Sequence, residues 1–228
     1  MRMEAAGRSR TGQRPMTARF WALSLAAATA LSAPALAHPH VWVTAKAEIV
    51  YGPDGKVLGV RHSWTFDPAY STFVTQGLDK NNDGKLTPDE LQDLAKVNTE
   101  SLADFGYFTH LKANGAKQAF AEPREPVMAF ENGAATLSFH LPLKKPAANK
   151  MIALEVYDPA FFVAFSMAEG QDAIKLANAP QGCATTVSRP KPLDVAQQQR
   201  LSEAFFEALT AASEFGSDQA GKVIVACP

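Results

Sequence analysis

Between Val41 and Tyr51 an apolar or small side chain falls on every second residue: Val41, Val43, Ala45, Ala47 and Ile49. After a Gly52-Pro53-Asp54-Gly55 turn the alternation resumes from Val57 to Phe66, with Leu58, Val60, His62, Trp64 and Phe66 on one face. A period of two puts alternate side chains on opposite faces of an extended chain, so this stretch reads as a β-hairpin with one buried face. Asp67-Pro68 then supplies a capping carboxylate and a proline for the first helical position, which predicts a short helix to about Leu78.

Further strands are expected at Tyr107 to Lys112 and Lys117 to Ala121 around the Asn114-Gly115 turn, and at Val127 to Phe130, Ala135 to Leu141, Met151 to Tyr157 and Phe161 to Met167. Ile174 to Ala177, Ala184 to Ser188 and Val223 to Ala226 complete the set, with Pro142 to Asn149 read as a polar loop. Helical periodicity covers Asp89 to about Phe105 and Asp194 to about Ser213. The expected class is therefore α+β: mainly antiparallel sheet, an EF-hand-like helix-loop-helix at about 68–105, and a C-terminal amphipathic helix. Phe66-Asp67-Pro68-Ala69-Tyr70 and Tyr157-Asp158-Pro159-Ala160-Phe161 form a weak repeat, which shared turn chemistry explains.

Residues 1–37 read as an address rather than as fold. Five arginines precede the apolar run Phe20–Ala28, and the stretch ends in Ala35-Leu36-Ala37, small where a signal peptidase reads. Cleavage after Ala37 is expected; a start at Met16 would leave a more compact signal. Its removal takes five basic residues and one acidic from the 22 and 23 of the whole chain, leaving a net charge of −5 on residues 38–228. With 46% hydrophobic residues this is enough chain for a sizeable core. No basic excess indicates nucleic-acid binding, and no apolar run reaches the ~20 residues of a membrane helix. In an oxidising compartment Cys183 and Cys227 are expected to pair.

The most specific motif is the run Asp79-Lys80-Asn81-Asn82-Asp83-Gly84-Lys85-Leu86-Thr87-Pro88-Asp89-Glu90, which has the spacing of a twelve-residue EF-hand loop. Calcium is a hard cation that takes six to eight oxygens. Asp79, Asn81 and Asp83 supply side-chain oxygens, Lys85 its carbonyl, Thr87 the position often filled through a water, and Glu90 both carboxylate oxygens. Gly84 makes the bend, and Leu86 is expected to pack inward. A single loop with three carboxylates and two lysines points to weak binding, on the order of 10⁻⁴–10⁻³ M, and to a structural ion.

Cleavage after Ala37 would leave His38-Pro39-His40 at a new amino terminus. The amine and the His38 imidazole can chelate one metal, and His40 adds a second ring. Pro39 has no amide hydrogen, which blocks binding through deprotonated backbone amides. Nitrogen donors suit Zn²⁺, Ni²⁺, Co²⁺ or Cu²⁺. His140, on the polar face of its strand with Thr136 and Ser138, is a candidate to complete the site, whereas His62 beside Trp64 reads as a core residue. No nucleophile elbow or nucleotide loop is evident.

His38-Pro39-His40-Val41-Trp42, Trp64-Thr65-Phe66-Asp67, the Asp79–Glu90 loop, Tyr107-Phe108-Thr109, Leu141-Pro142-Leu143, Tyr157-Asp158-Pro159, Cys183, Phe205-Phe206 and Cys227-Pro228 together resemble a bacterial family of uncharacterised periplasmic proteins, often labelled a periplasmic component of an ABC-type transport system. Members are associated with inner-membrane permeases of the nickel/cobalt type, some with zinc uptake. The resemblance implies a periplasmic accessory, not an enzyme, that binds or delivers a transition metal to a permease. Two other readings use the same residues: a histidine-brace copper enzyme performing oxidative chemistry, and a calcium-stabilised interaction protein with no transition-metal role.

Overall fold

The computed structural model describes residues 39–190 and 220–228. Strand β1 (Val41–Tyr51) buries Val41, Val43, Ala45, Ala47 and Ile49 and turns Trp42, Thr44 and Lys46 to solvent, the alternation expected of it. It pairs antiparallel with β2 (Val57–Phe66). The chain then enters α1 (Pro68–Thr75), where the Asp67 carboxylate accepts the Tyr70 backbone N–H at 2.9 Å and Pro68 opens the helix. The acidic loop follows, then α2 (Pro88–Ser101) and a 3₁₀ segment, Leu102–Phe108.

Nine more strands complete the described fold: β3 (Thr109–Ala113), β4 (Ala116–Lys117), β5 (Arg124–Glu131), β6 (Ala134–Ala147), β7 (Met151–Val156), β8 (Val163–Met167), β9 (Ile174–Ala177), β10 (Ala184–Ser188) and β11 (Lys222–Ala226). One sheet runs β5-β6-β2-β1-β8, with β9 also on β1; the other runs β10-β11-β7-β3-β4. Their inner faces share one core in which Trp64, Leu137 and Leu141 of the first sheet meet Leu111, Ile152, Leu154 and Val223 of the second. The His62 ring and the Thr109 hydroxyl, 3.2 Å apart, bridge the two sheets inside it.

The expected α+β class with a closing amphipathic helix is corrected by this architecture. The described residues are mostly β-strand in two sheets, and the only α-helices among them, α1 and α2, flank the acidic loop. The last element is a strand, β11, inserted between β10 and β7 with Val223 and Val225 fully buried. The helix expected over 194–213 lies outside the described residues.

A second correction concerns 142–149. Strand β6 does not stop at Leu141 but continues through Pro142 to Ala147. Proline in a sheet interior normally breaks pairing, because it has no N–H to donate. Here Gly59 stands opposite Pro142, at a shift in the β2–β6 register. A Cβ at Gly59 would lie 2.6 Å from the Leu141 carbonyl oxygen and 2.8 Å from the Pro142 Cα, so the absent side chain is what lets the proline backbone close in. On the other side the Pro142 carbonyl accepts the Ala121 N–H at 2.8 Å.

Candidate metal centre

The acidic loop hangs between α1 and α2 and is wound by its own side chains. Asp79 accepts the backbone N–H of Asp83 (3.2 Å) on one oxygen and that of Gly84 (2.9 Å) on the other. Asn81 Oδ1 accepts the Asp83 N–H at 2.9 Å, and Asp83 Oδ1 accepts the Lys85 N–H at 2.8 Å. Asn82 and Gly84 sit in the left-handed region, at φ 57° and 79°, which asparagine tolerates and glycine adopts freely. Glu90 reaches back across the loop: one oxygen accepts the Lys80 N–H (2.9 Å), the other the Thr87 N–H (3.0 Å) and hydroxyl (2.9 Å). Thr87 caps α2 in return, completing a capping box.

The bonds from Thr87, then those from the Lys80 and Asn81 backbone, hold the Glu90 carboxyl below the usual carboxylate range. Each carboxylate oxygen has more than one lone pair, so accepting an N–H leaves capacity for a cation. Leu86 packs on the core as expected, and Leu91 and Ala95 anchor α2 below the loop. The entering helix departs from the EF-hand pattern. α1 ends at Thr75, and Gly77 in the left-handed region (φ 77°) separates it from Asp79. Among the described residues no three His, Cys, Asp or Glu side chains already converge on one point. An ion would therefore need the Asp79, Asp83 and Glu90 side chains to rotate inward on a backbone that is already wound.

His38 lies outside the described residues. His40 stands at the mouth of β1, its backbone N–H donating to the Phe162 carbonyl (2.9 Å) and its ring 4.7 Å from the Phe162 ring. The two Asp-Pro turns of the weak repeat meet here. Asp67 accepts the Trp42 N–H (3.0 Å), while Asp158, buried, accepts the N–H groups of Ala160, Phe162 and Val163 and so shapes the loop that holds His40. The repeat is turn chemistry used twice at one strand end.

The fold does not bring His140 to His40. His140 pairs with Arg61, and Arg61 with Glu48, eight residues beyond His40 on β1. At ~3.3 Å per residue that places the two histidines more than about 25 Å apart. His140 is also flanked across the sheet by Arg61 and Arg124. Partial burial, then the charge of Arg61, lowers its pKa despite the opposing pull of Glu125, and cationic neighbours oppose a bound cation as well. His110 stacks on Tyr157, with ring centroids 4.0 Å apart.

His62 is the core residue expected of it. It is 2% exposed, among Trp64 and Phe139. The Thr109 hydroxyl spends its one hydrogen on the Tyr107 carbonyl (2.7 Å), so the His62 Nε2–H is the donor to Thr109, and the bare Nδ1 has no partner. Burial pushes its pKa down to about 3. The unfolded chain then takes up the proton first. This contribution to stability is intact above about pH 6.5 and is lost at roughly 1.4 kcal/mol per pH unit as pH falls towards the folded value. Denaturant titrations should show a loss of about 2 kcal/mol between pH 6.5 and pH 5 that a His62→Phe variant lacks. An equal loss in the variant would assign the effect elsewhere.

Cys183 and Cys227 form the expected disulfide, with Cα atoms 4.1 Å apart. A family model described as a protein of unknown function, DUF1007, matches residues 23–227. The chain belongs to the DUF1007 family. A relative described as an uncharacterized 15.5 kDa protein in the trpE 3′ region of Spirochaeta aurantia is 33% identical over 85 residues, 37% of this chain. The chain spans 61% of that relative's length. The DUF1007 match takes in the acidic loop, His40 and both cysteines together. No helix among the described residues of this DUF1007 chain is long and apolar enough to cross a membrane.

Proposed function

We propose that the chain is an exported, calcium-binding accessory protein of a transition-metal transport system, acting in the periplasm beside an inner-membrane permease. The observation that carries the calcium part is the winding of residues 79–90. Asn82 and Gly84 are left-handed, Asp79 holds the turn, and Glu90 reaches back to the second residue of the loop. Only oxygen donors are on offer there, which suits calcium and not the softer metals. Calcium bound in the loop would fix α1 against α2.

The transport part rests on the resemblance to periplasmic proteins that accompany nickel, cobalt and zinc permeases, and on His38 and His40 as nitrogen ligands. The loop built by Asp158 anchors His40 through Phe162, which would present the terminus at a fixed edge of the sheet. Zinc, nickel and copper titrations of protein recovered from the periplasm test this part. Binding should weaken as pH falls, because amine and imidazole ligands must shed protons. A His40→Ala variant should lose affinity by about tenfold or more. Unchanged affinity in that variant would remove the histidines from the account and leave a calcium-stabilised interaction protein.

A further inference from the structure

A cavity of about 500 Å³ opens between β1, β2 and β8 on one side and the end of α2 with its 3₁₀ extension on the other. We propose that it is a binding site for a compact, neutral, largely apolar molecule, such as an aryl or alkyl ketone. The proposal rests on neither the calcium loop nor the histidines.

Four observations support it. The walls are aromatic: Trp64, Phe66, Phe105, Phe108, Phe162 and Phe165 all face the space. Protein interiors close up around voids far smaller than this, whereas small-molecule sites span roughly 300–1,000 Å³.

The backbone gives the third. Among the described residues eight non-glycines adopt positive φ; four are asparagine and one is Glu125. The other three are bulky aromatics: Tyr107 (57°) and Phe108 (47°) on the 3₁₀ side, and Phe161 (52°) on the β8 side. Phe108 itself lines the cavity, and Tyr107 and Phe161 adjoin the wall residues Phe108 and Phe162. Left-handed backbone is unfavourable for such side chains and persists where the surroundings impose it, which is characteristic of ligand-shaping walls.

Charge sets the ligand class. Among the described lining residues none is Lys, Arg or His, and the one carboxyl group is that of Asp158, already accepting three backbone N–H groups. A fatty-acid carboxylate or a phosphate would meet no cation and one carboxylate, so a neutral molecule fits and an anion does not.

The test uses the full-length processed protein and the neutral fluorescent ketone prodan, which has an aromatic body and one carbonyl acceptor. One saturable site per chain is expected, with a blue-shifted emission and a Kd on the order of 10 µM. Leu102→Trp places bulk in the cavity from its partly exposed 3₁₀ wall and should weaken binding at least about tenfold while circular dichroism stays that of the parent. Decanoate should not compete, whereas 2-decanone should. Absence of saturable binding in the parent overturns the proposal. So does binding that a folded Leu102→Trp variant retains in full. Competition by decanoate equal to that of the ketone would overturn the neutral-ligand assignment.

Discussion

Replacing Cys183 and Cys227 together by serine should destabilise the protein by about 4 kcal/mol, the chain-entropy value for releasing a loop with a sequence separation of 44. For a chain of this size that lowers the Tm by roughly 8–16 °C. The location supports a large effect. Among the described residues β10 is an edge strand of its sheet, paired with β11 alone, and most of its side chains are exposed. Pairing runs from Ser188 with Lys222 to Ala184 with Ala226, and the disulfide takes the next place in that register. The bridge therefore closes the open end of a ladder that little apolar burial secures. Beneath it, β11 carries Val223 and Val225 into the core, so fraying at the edge exposes core residues. Urea titrations of the parent and the double-serine variant measure the difference. A change below about 1 kcal/mol would mean that the unfolded chain gains little freedom from the loss of the bridge.

Glu90→Gln should lower calcium affinity at least about tenfold, because the loop then keeps its shape but loses the carboxylate that supplies two oxygens and a charge. Glutamine is chosen because it sustains a capping box at the same position. The calcium-free variant should therefore melt close to the parent, which separates loss of the ion from loss of the helix start. The depressed pKa of Glu90 also sets a pH window. A carboxyl lowered in the folded state contributes above its unfolded value and ceases to do so as pH falls through the folded one. Glu90 therefore keeps its charge to a lower pH than an unperturbed glutamate, and its own protonation should weaken binding only at that lower pH. Calorimetric titration of both proteins at neutral pH reads the first effect. Equal affinity in parent and variant would take Glu90 out of the coordination sphere.

Local signals carried most of the fold. The period-two runs marked β1 and β2 with their boundaries, Asp67-Pro68 marked α1, Thr87–Glu90 marked the start of α2, and Asn114-Gly115 marked the β3–β4 turn. What escaped was set by partners distant in sequence. Residues Val163–Met167 and Ile174–Ala177 read as strands, but nothing in them shows that both add in parallel to β1. Pro142 looked like a strand end because the glycine that admits it lies far away in sequence, at position 59. The same limit applied to the candidate site. Its loop is one contiguous motif, so its candidate donors can be named from the sequence without reference to any partner distant in the chain. The relation of His40 to His140 depends on the registers of β1, β2 and β6, and those registers separate the two. The aromatic cavity draws its walls from four strands, both helices and the 3₁₀ segment, so no spacing along the chain announces it.

The central claim is that residues 79–90 bind calcium, and the most direct test is the stability of the untagged parent protein in denaturant with and without 10 mM calcium, magnesium serving as control. A Kd of about 10⁻⁴–10⁻³ M predicts an added stability of roughly 1.4–2.7 kcal/mol from calcium, absent in Glu90→Gln and much smaller with magnesium. Identical curves with calcium, magnesium and chelator would contradict the claim and leave the loop a capped turn held by its own backbone hydrogen bonds.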